Sequence, residues 1–155
     1  MQKSLYTIGY EGTNTDDFVT TLENAGVNVV VDVRFHPFSR RGGFSKSPLA
    51  AVLREHGIDY LHLRELGNPR HNQPPGPGGF EAAFEAHMQT QTAQGGVAKA
   101  AEIAEKSPSC LLCYEREPGS CHRNIVARHV AERTGQSIHH LRVEKGGAVQ
   151  TELGL

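Results

Sequence analysis

Two short segments in the C-terminal part of the chain carry side chains that could do chemistry. Cys113 and Glu115 lie two residues apart, and Cys121, His122 and Arg123 follow as one run. Thiol, carboxylate and imidazole groups act as nucleophiles or general acids and bases, and a guanidinium group clamps anions. A site for an anionic ligand, or for a reaction on such a ligand, is therefore the first hypothesis.

The run at residues 121–123 follows a Pro-Gly turn and opens an apolar pattern typical of a helix. At a helix N-terminus the dipole and the free N–H groups favour an anion and lower the pKa of a thiol. Arg123 would add a two-pronged contact to a phosphate or carboxylate. The alternative is a buried cysteine with Arg123 paired to Glu115 or Asp32.

Two known kinds of site fit this spacing poorly. Nine residues separate Cys113 from Arg123, more than the loop of cysteine-dependent phosphatases allows. Cys113, Cys121 and His122 could converge with Glu115 on zinc or iron, but no paired metal-ligand motif lies on a predicted loop or helix. We therefore rank anion binding above metal binding and expect no metal and no cofactor.

The three cysteines predict a reducing compartment. An odd count leaves no complete disulfide framework, so free thiols are expected. Alternation on a strand places Cys113 with Glu115 on one face and Cys110 with Leu112 on the other, so Cys110 is expected in the core. The chain shows no signal peptide and no apolar run of about 20 residues, which predicts a cytoplasmic protein without a membrane span.

Five short apolar runs alternate with helical patterns. The predicted strands cover residues 5–8, 27–33, 58–63, 109–114 and 138–141. The predicted helices cover residues 14–26, 47–57, 80–88, 97–105 and 122–134, with a break between the third and fourth at Gly95-Gly96. This order predicts a three-layer α/β/α sandwich with a mostly parallel open sheet of about five strands, in a single domain over residues 1–155. The tail from Glu144 is expected to form an edge hairpin or to fray.

Polar side chains follow several of the predicted strands. In an open parallel sheet these positions meet at one edge, where ligands bind. Asp32 and Arg34 end the second strand and have two interpretations of equal weight. They form either a general base with an anion clamp, or an ion pair that organises the following loop.

The loop at residues 34–46 contains no acidic residue. It combines positive side chains with phenylalanine rings, a mixture that suits phosphates and stacked bases. The alternative is a solvated loop anchored by one or two rings. Because the net charge of the whole chain is -1, a polyanion footprint over the entire surface is not expected. The residues concerned are Arg34, Phe35, Phe38, Arg40, Arg41, Phe44 and Lys46.

The chain resembles the DUF488 domain family over about residues 5–141. The resemblance implies a three-layer α/β fold and supplies no activity. The sequence departs from many relatives at Tyr10-Glu11 and at Asn68. The matching segments are residues 7–12, 32–34, 39–41, 44–46, 66–67, 112–115 and 121–123.

Three hypotheses follow. The first is an enzyme acting on a phosphate-bearing ligand such as a nucleotide or a nucleic acid; the second is a non-catalytic module for the same ligands; the third is a thiol-based or metal-based sensor. The oligomeric state is left open. The candidate catalytic residues are Asp32, Glu115, Cys121 and Cys113. The candidate ligand-binding residues are Gly9, Tyr10, Arg34, Arg40, Arg41, Lys46, His122 and Arg123.

Overall fold

A computed structural model describes residues 2–69, 76–120, 122–145 and 149–154. The strands are β1 (Ser4–Gly9), β2 (Val29–Asp32), β3 (Asp59–His62), β4 (Ser109–Cys113), β5 (Ser137–Val143) and β6 (Val149–Gly154). The helices are α1 (Thr15–Asn24), α2 (Lys46–Glu55), α3 (Gly79–Met88), α4 (Gln91–Lys106) and α5 (His122–Thr134). Single 3-10 turns cover Arg64–Leu66 and Pro118–Ser120.

The strands form one open sheet in the order β3-β2-β4-β1-β5-β6. The first five strands run parallel, and β6 pairs antiparallel with β5. The predicted α/β fold with about five parallel strands is therefore confirmed, and the tail forms the expected edge hairpin. None of the helices in the described ranges is long and apolar enough to cross a membrane.

Two apolar clusters lie on opposite faces of the sheet. One contains the buried side chains of α1 and α2, and the other contains those of α3, α4 and α5. Alternate residues of β4 divide between them, because Cys110 and Leu112 belong to the first cluster and Leu111 and Cys113 to the second. Cys110 is fully buried, as predicted.

The predicted helix break at Gly95-Gly96 is wrong, because α4 runs through both glycines. The chain instead breaks between α3 and α4, where the side chain of Thr90 caps α4 by accepting a hydrogen bond from the N–H of Ala93 at 3.2 Å. Gly96 permits close packing, since a Cβ there would lie only 3.0 Å from Cδ2 of the buried Leu66.

The sheet order explains where a crevice forms. Strand β4 lies between β2 and β1, and its connection leads to α5 on one face. The connections that follow β1 and β2 lead to α1 and α2 on the opposite face. Neighbouring strands whose connections diverge in this way leave a crevice at their C-terminal ends. In this chain the crevice lies beyond Cys113.

Candidate functional site

A pocket of about 1070 Å³ occupies the crevice at the C-terminal ends of β1, β2 and β4. We call it the strand-end pocket. Six separate places in the chain contribute to its walls, so only the tertiary fold assembles it. It is lined by residues 34–36, 38–41 and 113–115 together with Tyr10, Asn68, Phe80 and His122.

Three exposed aromatic rings line this pocket. Among the side chains that the structure describes, the large apolar ones that are exposed are Phe38 (72%), Tyr114 (48%) and Phe80 (38%). All three belong to the strand-end pocket. Exposed apolar rings gathered at one concave surface can stack on the flat face of a planar group.

Two arginines supply positive charge at the same place. Arg40 and Arg41 are exposed and line the pocket. The loop at residues 34–46, the basic loop, is held in shape from within. The N–H of Ser39 donates to Oγ of Ser45 at 3.0 Å, and the buried ring of Phe44 stacks on Tyr10 at 4.5 Å between ring centroids. The loop therefore presents both arginines from a fixed base.

Asp32 and Arg34 form a buried ion pair behind the basic loop. Nε and Nη2 of Arg34 donate to the Asp32 carboxylate at 2.9 and 2.7 Å, and the hydroxyl of Tyr60 also donates to it. Arg34 further donates to the carbonyl of Phe44 at 2.7 Å. Burial lowers the pKa of Arg34, but the hydrogen bond and charge of Asp32 outweigh it and raise the pKa overall. These contacts favour the loop-organising interpretation of the pair; only Arg34 of the two lines the pocket.

Arg123 is fully buried beneath the loop that follows β4. Its guanidinium donates to the carbonyl of Glu115, to the carbonyl of Arg116 at 3.1 Å and to Oγ1 of Thr7 at 3.1 Å. A side chain at Gly9 would overlap the Glu115 carbonyl, so the glycine gives Arg123 and that carbonyl room to meet. Arg123 and Gly9 thus shape the pocket from below, and neither is among its lining residues.

Glu115 and Cys113 form part of the pocket wall. Oε2 of Glu115 lies 3.3 Å from Sγ of Cys113. Burial raises the pKa of Glu115, while the positive charge of Arg123 acts in the opposite direction. The expectation of free thiols holds for Cys110 and is wrong for Cys113, which is disulfide-bonded. Chain spacing does not reveal which sulfur atoms come within bonding distance.

His122 contributes a neutral imidazole to the pocket. Its Nε2–H donates to the carbonyl of Val33 at 2.6 Å, and its ring meets Phe84 edge-on at 5.1 Å. Burial lowers its pKa to about 4. His122 is therefore uncharged at neutral pH and ties α5 to the end of β2.

The structure adds lining residues that the sequence did not indicate. Tyr114 was expected within a strand and Phe80 on the apolar stripe of a helix, whereas both are exposed at the pocket. Asn68 also lines the pocket. The position of Tyr114, directly after the five consecutive buried residues of β4, is the signal that marks it as a strand-end residue.

Lys46 and Cys121 are the two remaining predicted site residues. Lys46 is exposed at the start of α2 and is not a lining residue. Cys121 lies outside the described residues. Within the described ranges, no group of three or more His, Cys, Asp or Glu side chains could hold a metal ion.

Residues 14–130 match the family model whose description is "Domain of unknown function DUF488". The match covers more than half of the 155 residues, and it begins after the segment at residues 7–12. No curated protein and no solved structure matches the chain.

Proposed function

Because the chain belongs to the DUF488 family, whose description assigns no activity, we propose a function from the strand-end pocket: it binds a phosphate-bearing ligand with a planar ring, such as a nucleotide. One observation carries the proposal. The exposed large apolar side chains Phe38, Phe80 and Tyr114 all line one pocket, beside Arg40 and Arg41. Aromatic faces stack on bases, and guanidinium groups bind phosphates.

Electrostatics support the same ligand class. The basic loop contains four cationic residues and no acidic one, although the chain as a whole has a net charge of -1. The charge of Arg34 is balanced by Asp32 at 2.7 Å. Arg40 and Arg41 remain as the exposed cations in the pocket wall, so an incoming anion would be drawn there.

A catalytic role for Glu115 extends this proposal. Its carboxyl group is partly buried in the pocket wall, and its pKa is raised by that burial. A carboxyl group with a raised pKa can donate a proton to a bound substrate and take one back. The enzyme hypothesis rests on Glu115, whereas a purely binding module would not need that carboxylate.

The other candidate catalytic residues carry less weight. Asp32 is fully buried and bonded to Arg34 and Tyr60, and Cys113 would have to be reduced before acting as a nucleophile. The nucleophilic role of Cys121 and the cytoplasmic location stay predictions. The sensor hypothesis would be supported by a stoichiometric metal in purified protein, or by a change in ligand affinity on reduction.

Calorimetric titration with adenosine 5′-monophosphate tests the proposal, with adenosine as the ligand that lacks phosphate. Replacing Arg40 and Arg41 together with alanine should weaken nucleotide binding about tenfold or more. Arg54→Ala, an exposed arginine on α2 outside the pocket, is the matched control. Equal affinity in the double variant and the control would refute the proposal.

Two variants at Phe38 test whether an aromatic ring stacks on the base. Phe38→Ala removes the most exposed ring, and stacking of one base contributes about 1–3 kcal/mol, so affinity should fall roughly 5- to 150-fold. Phe38→Tyr keeps a ring and should bind almost normally. If Glu115→Gln still turns over a nucleotide substrate, the catalytic proposal for Glu115 is wrong and the binding proposal stands.

A further inference from the structure

We infer that the ligand of the strand-end pocket is a stretch of single-stranded nucleic acid several nucleotides long, and not a free mononucleotide. The inference rests on the proposed function and deepens it by naming the ligand class. Its basis is that the pocket and the residues next to it present more aromatic rings and more positive side chains than one nucleotide can contact.

The aromatic rings outnumber the faces of one base. A single base has two faces, so two rings are enough to sandwich it. The pocket exposes Phe38, Phe80 and Tyr114, which come from three separate parts of the chain. Its volume of about 1070 Å³ lies at the upper end of the roughly 300–1,000 Å³ found for most small-molecule sites. Successive bases of a strand could each stack on one of the three rings.

The positive charge continues beyond the pocket wall. Lys46 is exposed, and its backbone N–H donates to the carbonyl of Pro37 at 2.9 Å, which places it next to the residue that precedes Phe38. Arg64 is exposed, and its guanidinium lies 4.2 Å from the ring centroid of Phe35, a lining residue. Neither Lys46 nor Arg64 lines the pocket itself.

A nucleoside monophosphate has one phosphate group, which Arg40 and Arg41 in the pocket wall can bind. Lys46 and Arg64 would then have no phosphate within the pocket to contact. A strand carries one phosphate per nucleotide, so the nucleotides that leave the pocket bring phosphates to these outer cations. The two kinds of ligand therefore differ in whether they depend on Lys46.

Lys46 gives a clean variant because it adds little to the stability of the fold. It lies in the first turn of α2, where no acidic side chain is present and where the helix dipole disfavours a cation. Lys46→Ala should therefore leave the unfolding midpoint unchanged or slightly higher. A loss of binding in this variant reports a lost ligand contact and not a loss of folded protein.

Fluorescence anisotropy with a labelled oligothymidylate of about eight nucleotides tests the inference, with thymidine 5′-monophosphate and shorter oligomers as unlabelled competitors. Affinity should rise at least about tenfold between the mononucleotide and about four nucleotides. The slope of log affinity against log salt should steepen by about 0.7 for each added phosphate contact.

The variants sharpen the test. Lys46→Ala should weaken oligothymidylate binding by about 3- to 10-fold and leave mononucleotide binding unchanged. Lys99→Ala, an exposed lysine on α4 outside the pocket, should change neither. Phe38→Ala should weaken both ligands, because the strand and the mononucleotide share the pocket.

Each outcome decides the inference. Affinity that stops rising after one nucleotide, or equal loss of both ligands in Lys46→Ala, overturns it and leaves the proposed function standing. Equal binding of a duplex also overturns it, because paired bases cannot reach the rings. Absence of binding for every nucleotide and oligomer overturns the inference and the proposed function together.

Discussion

Arg123 holds the main chain of Glu115: the buried guanidinium donates a hydrogen bond to the Glu115 carbonyl oxygen, while the carboxyl group of the same residue lines the strand-end pocket. The contact fixes the loop after β4 from below. The sequence favours direct ligand binding by Arg123. Instead, Arg123 positions Glu115, whose side chain lies in the pocket wall.

Arg123→Lys should lower the free energy of unfolding by about 2–4 kcal/mol. A lysine keeps the charge but cannot reach Thr7 and the carbonyls of Glu115 and Arg116 together, and buried acceptors without a donor are costly. Urea unfolding measures the loss. Arg128→Lys, at an exposed arginine of the same helix, should change stability by less than about 0.5 kcal/mol. Equal effects would show that Arg123 is not a structural support.

Gly9→Ala should destabilise the fold by about 3 kcal/mol or more. The added methyl group would overlap the Glu115 carbonyl, and main chain on both sides has little freedom to move away. Gly42→Ala is the control, because a Cβ at that position meets nothing within 4 Å. Comparable midpoints of chemical unfolding for Gly9→Ala and Gly42→Ala would contradict the close approach of β1 to the loop that follows β4.

Asp32→Asn should lower stability by about 3–5 kcal/mol, since it leaves the buried Arg34 guanidinium without its countercharge. Asp59→Asn, on the exposed start of the neighbouring strand, should be close to neutral. If Asp32→Asn folds with wild-type stability but loses turnover, the general-base interpretation would replace the structural one.

Stability should fall as the pH drops from 6.5 to about 4, and His122 should account for much of that loss. Its pKa is about 4 in the folded chain and 6.5 in the unfolded chain, so only the unfolded chain takes up the proton in this range. The contribution is at most about 3 kcal/mol. His122→Gln should flatten the pH dependence measured by thermal unfolding. An unchanged slope in His122→Gln would refute the assignment.

Glu115→Gln should stabilise the protein at neutral pH. Burial raises the folded pKa of Glu115, so ionisation costs stability above the unfolded pKa of about 4.5, and this cost disappears as the pH falls. Glu117→Gln should do the opposite, because a hydrogen bond from Arg142 lowers the pKa of Glu117. Chemical unfolding at neutral and acidic pH compares the two variants, and effects of the same sign would contradict these shifts.

Local sequence patterns determined the elements. Apolar runs of four to seven residues marked the five parallel strands, and the helix at residues 122–134 was predicted at the bounds of α5. Alternation placed Cys110 and Cys113 on opposite faces of β4, as observed. These features depend on neighbours within a few residues, which is why the chain alone reveals them.

The sequence also located the edge of the sheet at which the pocket lies, because strand ends in a parallel sheet share one side. Arg40, Arg41, Glu115 and His122 do meet there. The sequence allowed both a ligand-binding and a structural role for Arg34 and for Arg123, and it could not decide between them. A buried guanidinium and an exposed one look the same in a sequence, and only the surrounding carbonyls and carboxylates distinguish them.

The tertiary structure alone decided what the pocket presents to a ligand. The strand order places β4 between β1 and β2, and this brings Phe38, Phe80 and Tyr114 together across more than 30 residues of intervening chain in each case. The sequence determined that Cys113, Glu115 and the segment containing Arg123 lie near one another. Which side chains face solvent depends on packing between distant segments, a non-local property that periodicity along the chain does not encode.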